Sequence, residues 1–430
     1  MKKFMKTIAL IIAAVMLSGL TALTALSAPA DGNDKITVSL RIEGIEEPLY
    51  YNSEIRISSG ATVADLLATV NEMENSPEIK ILDGAYGSYV SEIGDLEEFT
   101  YGPMSGWSYR INGLSPTFGI SMCELGDGDE VVCFFGDPFG IGMQYPVPDL
   151  SRLLSGGIIK FTSIDSTFDE DWIEILTENP VKSALVTFDR KIYTTDENGE
   201  ILIADKTGLS GFHTLQIERY DDETGTPTVL RLAPDYAIYT PFTDTPDGVW
   251  YDDAIMFCVR DGYFVGTNAA LNLFAPLDKM NMVQLVTVLA RIGGVGAELT
   301  TGRYWYREPL WWAVDTGLLV PSEEESAALK SDDGIDAFYG RVAGMNVTRE
   351  TFITMFYRTA ALAGGYDMTV RADITGATDY DDINEADLEA ISWAVAAGII
   401  RGTGVISLTI DPAMEINRAM VCQMLYNYYY

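Results

Sequence analysis

The sequence predicts a multidomain protein: an α+β module at the N-terminus, an all-β sandwich acting as spacer, and a mainly α C-terminal part made of three copies of one unit. Three observations predict it. Near the end, Ala390-Ile391, Gly398, Pro412, Asn417 and Leu425 fall, 136 positions earlier and without a gap, on Ala254-Ile255, Gly262, Pro276, Asn281 and Leu289. At the other end, alternating apolar residues from Ile36 lead into a capped helical pattern. Between them lie short alternating runs separated by turn residues. Such repetition means units that bury their apolar faces only by stacking on one another.

Residues 1–30 begin with Lys2, Lys3 and Lys6, continue as the apolar run Ile8 to Met16 and close on Ala28-Pro29-Ala30. This pattern predicts a secretory leader, cleaved before Asp31. The run is interrupted by Ser18-Gly19 and is short for a bilayer span. No membrane association is expected after cleavage. With 63 acidic and 28 basic residues the formal net charge is −35. A chain this acidic repels nucleic acid, so any anionic ligand must be held by a few local cations.

The front module is expected over 31–136. Ile36, Val38, Leu40 and Ile42 alternate as a half-buried strand, a second strand follows at Glu54 to Ile57, and Thr62 with Asp65 opens a helix as a capping box. Gly106 to Ile111 reads as a strand ending in the Asn112-Gly113 turn, and Leu125-Gly126-Asp127-Gly128-Asp129 precedes another. Gly106-Trp107-Ser108-Tyr109 with Asn112-Gly113, followed by the Leu125 to Asp129 segment, resembles the C-terminal domain family of transcobalamin and intrinsic factor. That resemblance implies a small-ligand module, with a corrinoid as the sharpest candidate. Trp107, Tyr109, Tyr86 and Tyr89 are then the residues placed to stack on a planar or sugar ligand. The alternative is that these aromatics are core. Cys123 and Cys133 flank the 126–129 turn, and a disulfide between them stays open; four cysteines make no disulfide framework.

Residues 137–157, rich in Pro and Gly, read as a linker. The sandwich is expected over 158–236, from the runs Ile158 to Phe161, Ala184 to Phe188, Lys191 to Tyr193, Ile201 to Ile203 and His213 to Ile217. The segments around Ala184 to Phe188, Tyr193 to Glu200 and Gly208 to Gly211 resemble prealbumin-like repeats and carboxypeptidase regulatory domains, which implies a spacer. Asp196-Glu197-Asn198-Gly199 lacks the ligand ladder of a calcium loop and reads as a turn. His213, the one histidine, reads as a strand residue, and a single histidine excludes multi-histidine zinc sites.

The three copies are expected over 237–430, at about 240–294, 300–362 and 374–430. The middle one carries about twelve extra residues between Val320 and Val347, judged from shifts of 81 and 69 positions. Their aromatic-x-Asp start, Ala-Ile or Trp-Ala helix, Gly-x-x-x-Gly, aromatic-x-Pro turn and Thr-Arg-like opening of a second helix resemble the S-layer homology repeat. The resemblance implies a pseudo-threefold domain whose grooves hold an anionic secondary cell-wall polymer, with Arg349, Arg418, Thr348, Asn417, Trp250, Asp244, Gly266 and Gly402 at the binding positions. Thr or Asn at a helix N-cap leaves an end that favours an anion, and a neighbouring Arg adds a planar fork suited to a carboxylate. Met282 stands where the first copy should have Arg, so its groove is expected to lack the cation. Arg349 and Arg418 making only internal salt bridges is the competing reading.

Acidic residues are too many for any pair to signal hydrolysis. The reading is therefore a non-catalytic, secreted protein without a resident cofactor. It is anchored to wall polymer at the cell surface and displays a ligand-binding N-terminal module. The alternative is a structural or adhesive surface-layer protein whose front module binds protein or glycan.

Overall fold

The computed structural model describes residues 35–85, 87–136, 142–168, 174–246, 248–295, 304–401 and 407–430, with the backbone alone for 166–168 and 174. The leader, Tyr86, Gly402 and part of the expected linker lie outside the described residues.

Strand β1 (Lys35–Glu43) pairs antiparallel with β2 (Pro48–Ser58) and parallel with β7 (Glu130–Gly136), which pairs antiparallel with β6 (Gly106–Ile111). Helix α1 (Val63–Asn71) packs its apolar stripe, Val63, Leu66, Leu67 and Val70, into the same core as Val38, Leu40 and Ile42. Its start is the expected capping box: the Asp65 amide donates to Thr62 Oγ1 at 3.3 Å and the Thr62 amide to Asp65 Oδ2 at 2.8 Å. Strands β3 (Ile79–Gly84), β4 (Gly87–Ile93) and β5 (Leu96–Glu97) form a second small sheet. Asn112 and Gly113 both take positive φ, as an Asn-Gly hairpin turn requires. Strand β7 is apolar on both faces for a physical reason. Val131, Cys133 and Phe135 enter the α1 core, while Val132 and Phe134 meet Met143 and Leu230 from the next body.

That body has two sheets around one core. One contains β10 (Glu174–Pro180), β9 (Ile158–Phe168) and β13 (Glu200–Leu202); β8 (Val147–Asp149) also pairs with β9. The other runs β12 (Lys191–Thr194), β11 (Leu185–Phe188), β14 (Gly211–Tyr220) and β15 (Pro227–Val229), with β16 (Ala237–Thr240) also on β14. The expected boundaries move accordingly. Residues 142–157 are not a linker, since β8 joins the sheet and Leu153 is fully buried in its core. Residues 237–240 belong to the sandwich, because β16 extends it. His213 is a β14 residue, its Nδ1 2.6 Å from Asp189 Oδ2. Asp196 accepts the amides of Glu200 and Asn198, which hold its carboxyl below the usual range, so the carboxylate serves the turn. Glu43, buried on β1, pairs with Arg41 at 3.0 Å and with Arg231 of the sandwich at 2.8 Å, joining the two bodies.

The C-terminal part buries one continuous core from Phe242 to Leu425. Its helices are α2 (Asp252–Arg260), α3 (Met282–Ile292), α4 (Arg307–Asp315), α5 (Glu323–Ala328), α6 (Asp332–Val342), α7 (Arg349–Ala363), α8 (Leu388–Ala396) and α9 (Arg418–Tyr429). The segment between Val320 and Val347 is occupied by α5 and α6. Helices α3, α7 and α9 are N-capped by Asn281, Thr348 and Asn417. Isolated bridges link these caps cyclically: Asn281 with Asn346, Thr348 with Glu415, and Asn417 with Lys279. The chain thus closes on itself through three equivalent contacts. Among the described residues no helix is long and apolar enough to cross a membrane.

Candidate functional site

A cavity of about 600 Å³ opens where α3, the loop 264–272, the N-terminus of α9 and the sandwich meet. Helix α3 supplies Gln284, Thr287, Val288 and Arg291, the i, i+3, i+4, i+7 positions of one face. Arg418 comes from α9, Trp305 from the segment before α4, and Gly208 and Ser210 from the sandwich. Among the described residues no aspartate or glutamate lines it, although the chain carries 63 of them.

Arg418 is only 6% exposed. Its Nε donates to Phe274 O at 2.9 Å and its Nη2 to Val265 O at 2.7 Å, and its guanidinium lies over the rings of Phe274 and Phe264 at 4.4 and 5.0 Å. Nη1 has no hydrogen-bond partner among the described residues. Burial is the main cause that brings the Arg418 pKa down to about 10; the Arg291 charge pushes the same way, while Cys422, Asp278 and Asp244 oppose it. Arg291 donates to Tyr263 O at 2.9 Å, and burial lowers its pKa too. Two partly desolvated cations facing one cavity favour an anion there.

The expectation that the first copy's groove lacks a cation is corrected here. Arg418, from the third copy, reaches beneath the first copy's turn because the chain closes cyclically. Gly266 also lines the cavity, and a Cβ on it would stand 2.8 Å from Phe242 Cε1 and 2.9 Å from Leu273 O. The other expected positions have other duties. Asp244 accepts the amides of Phe274 and Ala275 at 2.8 and 2.7 Å, so it shapes the turn. Thr348 and Asn417 are N-caps, but the helix ends they open are not free for an anion. The Arg349 and Glu350 amides donate to Met414 O and Pro412 O, and those of Arg418 and Ala419 to Asp278 O and Pro276 O. Trp250 is exposed and packs edge-on to Tyr251, away from the cavity lining. Arg349 is half-buried with an unpartnered Nε; burial lowers its pKa against the pull of Asp411 and Asp379. Neither Arg349 nor Arg418 makes a salt bridge among the described residues. Arg291 and Trp305 escaped the sequence reading. The polar stripe Gln284, Thr287, Arg291 on an otherwise apolar helix was the available signal for the first.

In the front module the aromatic expectation is overturned at two positions. Trp107 is 7% exposed, donates its indole N–H to Leu96 O at 2.9 Å and packs edge-on to Phe135. Tyr109 is half-buried, its hydroxyl donating to Phe118 O at 2.7 Å and lying 3.0 Å from Cys123 Sγ; burial raises its pKa. Their ring faces serve the core. Cys123 and Cys133 are both free thiols. Tyr89 is exposed and contacts Glu98 at 3.4 Å. Across the β3–β4 pair it faces exposed Leu82, and the following loop exposes Phe99, Tyr101 and Met104.

Residues 60–136 match a family described as a domain of unknown function (DUF4430). Among solved structures the chain is similar to haptocorrin in complex with Cbi: 16% identity over 26% of this chain and 28% of that one, TM-score 0.22. It is also similar to a candidate metal-binding protein from Ruminococcus gnavus ATCC 29149: 15% identity over 24% of this chain and 96% of that one, TM-score 0.19. The chain thus spans under a third of the haptocorrin chain, and at these TM-scores neither likeness decides the fold. No curated protein matches the chain.

Proposed function

We propose that the protein is a non-catalytic, secreted surface protein. Its C-terminal repeats, of the S-layer homology type, hold an anionic cell-wall saccharide in the cavity between α3 and α9, and its front module is displayed outward. The observation that carries this reading is that Arg418 and Arg291 line one cavity whose described lining residues include no carboxylate, in a chain of net charge −35. Local cations with a clear cavity are what an acidic protein needs to hold an anion. Trp305 and Phe242 contribute aromatic rings to the lining, while Gln284, Thr267 and Asn268 contribute groups able to hydrogen-bond a sugar. These side chains donate and accept hydrogen bonds, but none exchanges protons near neutral pH, which suits binding better than catalysis.

The test is sedimentation of the full chain with peptidoglycan sacculi, before and after acid extraction of their secondary polymer, beside Arg291→Gln. Binding that disappears with extraction and with the substitution supports the reading. Equal sedimentation of variant and parent, or none by either, overturns it.

For the front module the reading is capture of a small ligand, with a corrinoid the first to try by visible absorption of added cobalamin. An unchanged spectrum removes it. The second reading, adhesion to protein or glycan, is favoured by the outward Leu82, Tyr89, Phe99, Tyr101 and Met104.

A further inference from the structure

The sandwich, expected to be a spacer, contributes to the cavity. Its turn 206–210 grips the loop 267–273 of the first repeat unit: Gly208 N donates to Ala269 O at 2.8 Å, and Asn272 Nδ2 donates to Lys206 O at 3.2 Å. Asn272 Oδ1 accepts Ser210 N at 3.3 Å, while Ser210 Oγ donates to Pro241 O at 2.9 Å. One asparagine amide therefore spans both ends of the turn, and it sits in the left-handed region at φ 53, which asparagine tolerates. The gripped loop is itself closed by Thr267 N to Leu273 O at 2.8 Å and Leu273 N to Asn268 O at 3.0 Å. Gly208 and Ser210 then line the same cavity as a helix, α3, that belongs to another body.

We propose that the turn 206–210 is a recognition element of the anion site: a wall, supplied by the sandwich, that fits the cavity to one acidic sugar unit and is locked against the repeats when that unit binds. This rests on the reading of the cavity given above. Asn272 is its positioning residue, since it holds the turn in place, and Ser210 sets the room left for the occupant. The consequence is that ligand binding registers in the sandwich as well as in the repeats.

The test uses the full chain with methyl glucuronide and with acid-extracted wall polymer as probes, and neutral methyl glucoside as control. Amide hydrogen exchange is followed with and without probe. Affinity is then measured for Asn272→Gly, which keeps the positive φ, for Ser210→Phe and for Arg291→Gln, each checked for an unchanged melting midpoint. The expected result is slowed exchange at 206–211 together with 264–272, and binding weakened about tenfold in Asn272→Gly. Slowing confined to 264–291, with Asn272→Gly and Ser210→Phe binding like the parent while Arg291→Gln does not, overturns the inference and leaves the site standing. Binding of neither acidic probe by the parent overturns both. Should Ser210→Phe lose its fold, Asn272→Gly and the parent's exchange pattern still decide.

Discussion

The first and third units of the C-terminal part share a scaffold and differ in charge. In the first, Asp244 accepts the amides of Phe274 and Ala275; in the third, Asp379 accepts those of Ile410 and Asp411 at 2.9 and 2.6 Å. Arg418 and Ala419 dock by their amides on the first unit's turn, as Arg349 and Glu350 do on the third's. Arg291 reaches Tyr263 O just as Asn427 reaches Ile399 O, at 3.2 Å. Yet Ala275 is replaced by Asp411, and Arg291 by Asn427. Asp411 and Asp379 thus act on Arg349 as Asp278 and Asp244 act on Arg418, but the first unit adds a second arginine at its cavity, where no aspartate or glutamate is among the described lining residues. Repetition fixes the frame, and at these two positions the copies differ in charge.

The largest expected difference comes from removing the two crossing arginines. Arg418→Ala leaves the carbonyls of Phe274 and Val265 without a donor and should cost about 3 kcal/mol, read by chemical denaturation. Arg349→Ala, whose Nε is unpartnered, should cost clearly less. Equal losses would mean that the units are mechanically alike.

Placing the third unit's carboxylate in the first sharpens the contrast without harming the fold. Ala275 has φ 58, a strained value for alanine that aspartate tolerates better, so Ala275→Asp should keep or slightly raise the melting midpoint. Binding of an anionic saccharide should nevertheless weaken about tenfold, by calorimetric titration. Unchanged affinity would sever the link between local charge and binding.

A pH titration follows from the lowered pKa. Arg418 is charged in the folded state below about 10, well under the ordinary arginine value. Its folded pKa lies below the unfolded one, so burying the charge costs stability below about 10, and that cost fades as pH rises from there towards the unfolded value. Anion affinity runs the other way: constant near neutrality, then falling as pH approaches 10. Affinity still flat at pH 10 would place the anion away from Arg418. The smallest change is expected from Asn427→Arg, which restores the second cation of the third unit but leaves Asp411 in place, so any gain should stay within about tenfold.

Local features were legible in the sequence because neighbours in sequence determine them. The Thr62–Asp65 box, the Asn112-Gly113 turn and the caps Asn281, Thr348 and Asn417 all follow from spacings of a few residues. What escaped depends on contacts across the chain. Arg418 meets carbonyls 144 and 153 residues away, so its burial and the filling of the helix N-termini cannot be read from Asn417-Arg418 alone. Trp107 alternates as a strand residue on either face would, and only its bond to Leu96 shows that it points inward. The unbroken apolar run of β7 was a visible mark of burial on both sides, and the covering body, with Met143 and Leu230, showed why.

The most direct test is a crystal structure of the full chain grown with the terminal disaccharide of the extracted wall polymer. The account predicts an acidic group within hydrogen-bond reach of Arg418 Nη1, on the Arg291 side of the cavity, with a sugar ring against Trp305. Sugar density at Trp250, at Arg349 or on the front module, with the cavity empty, would contradict it.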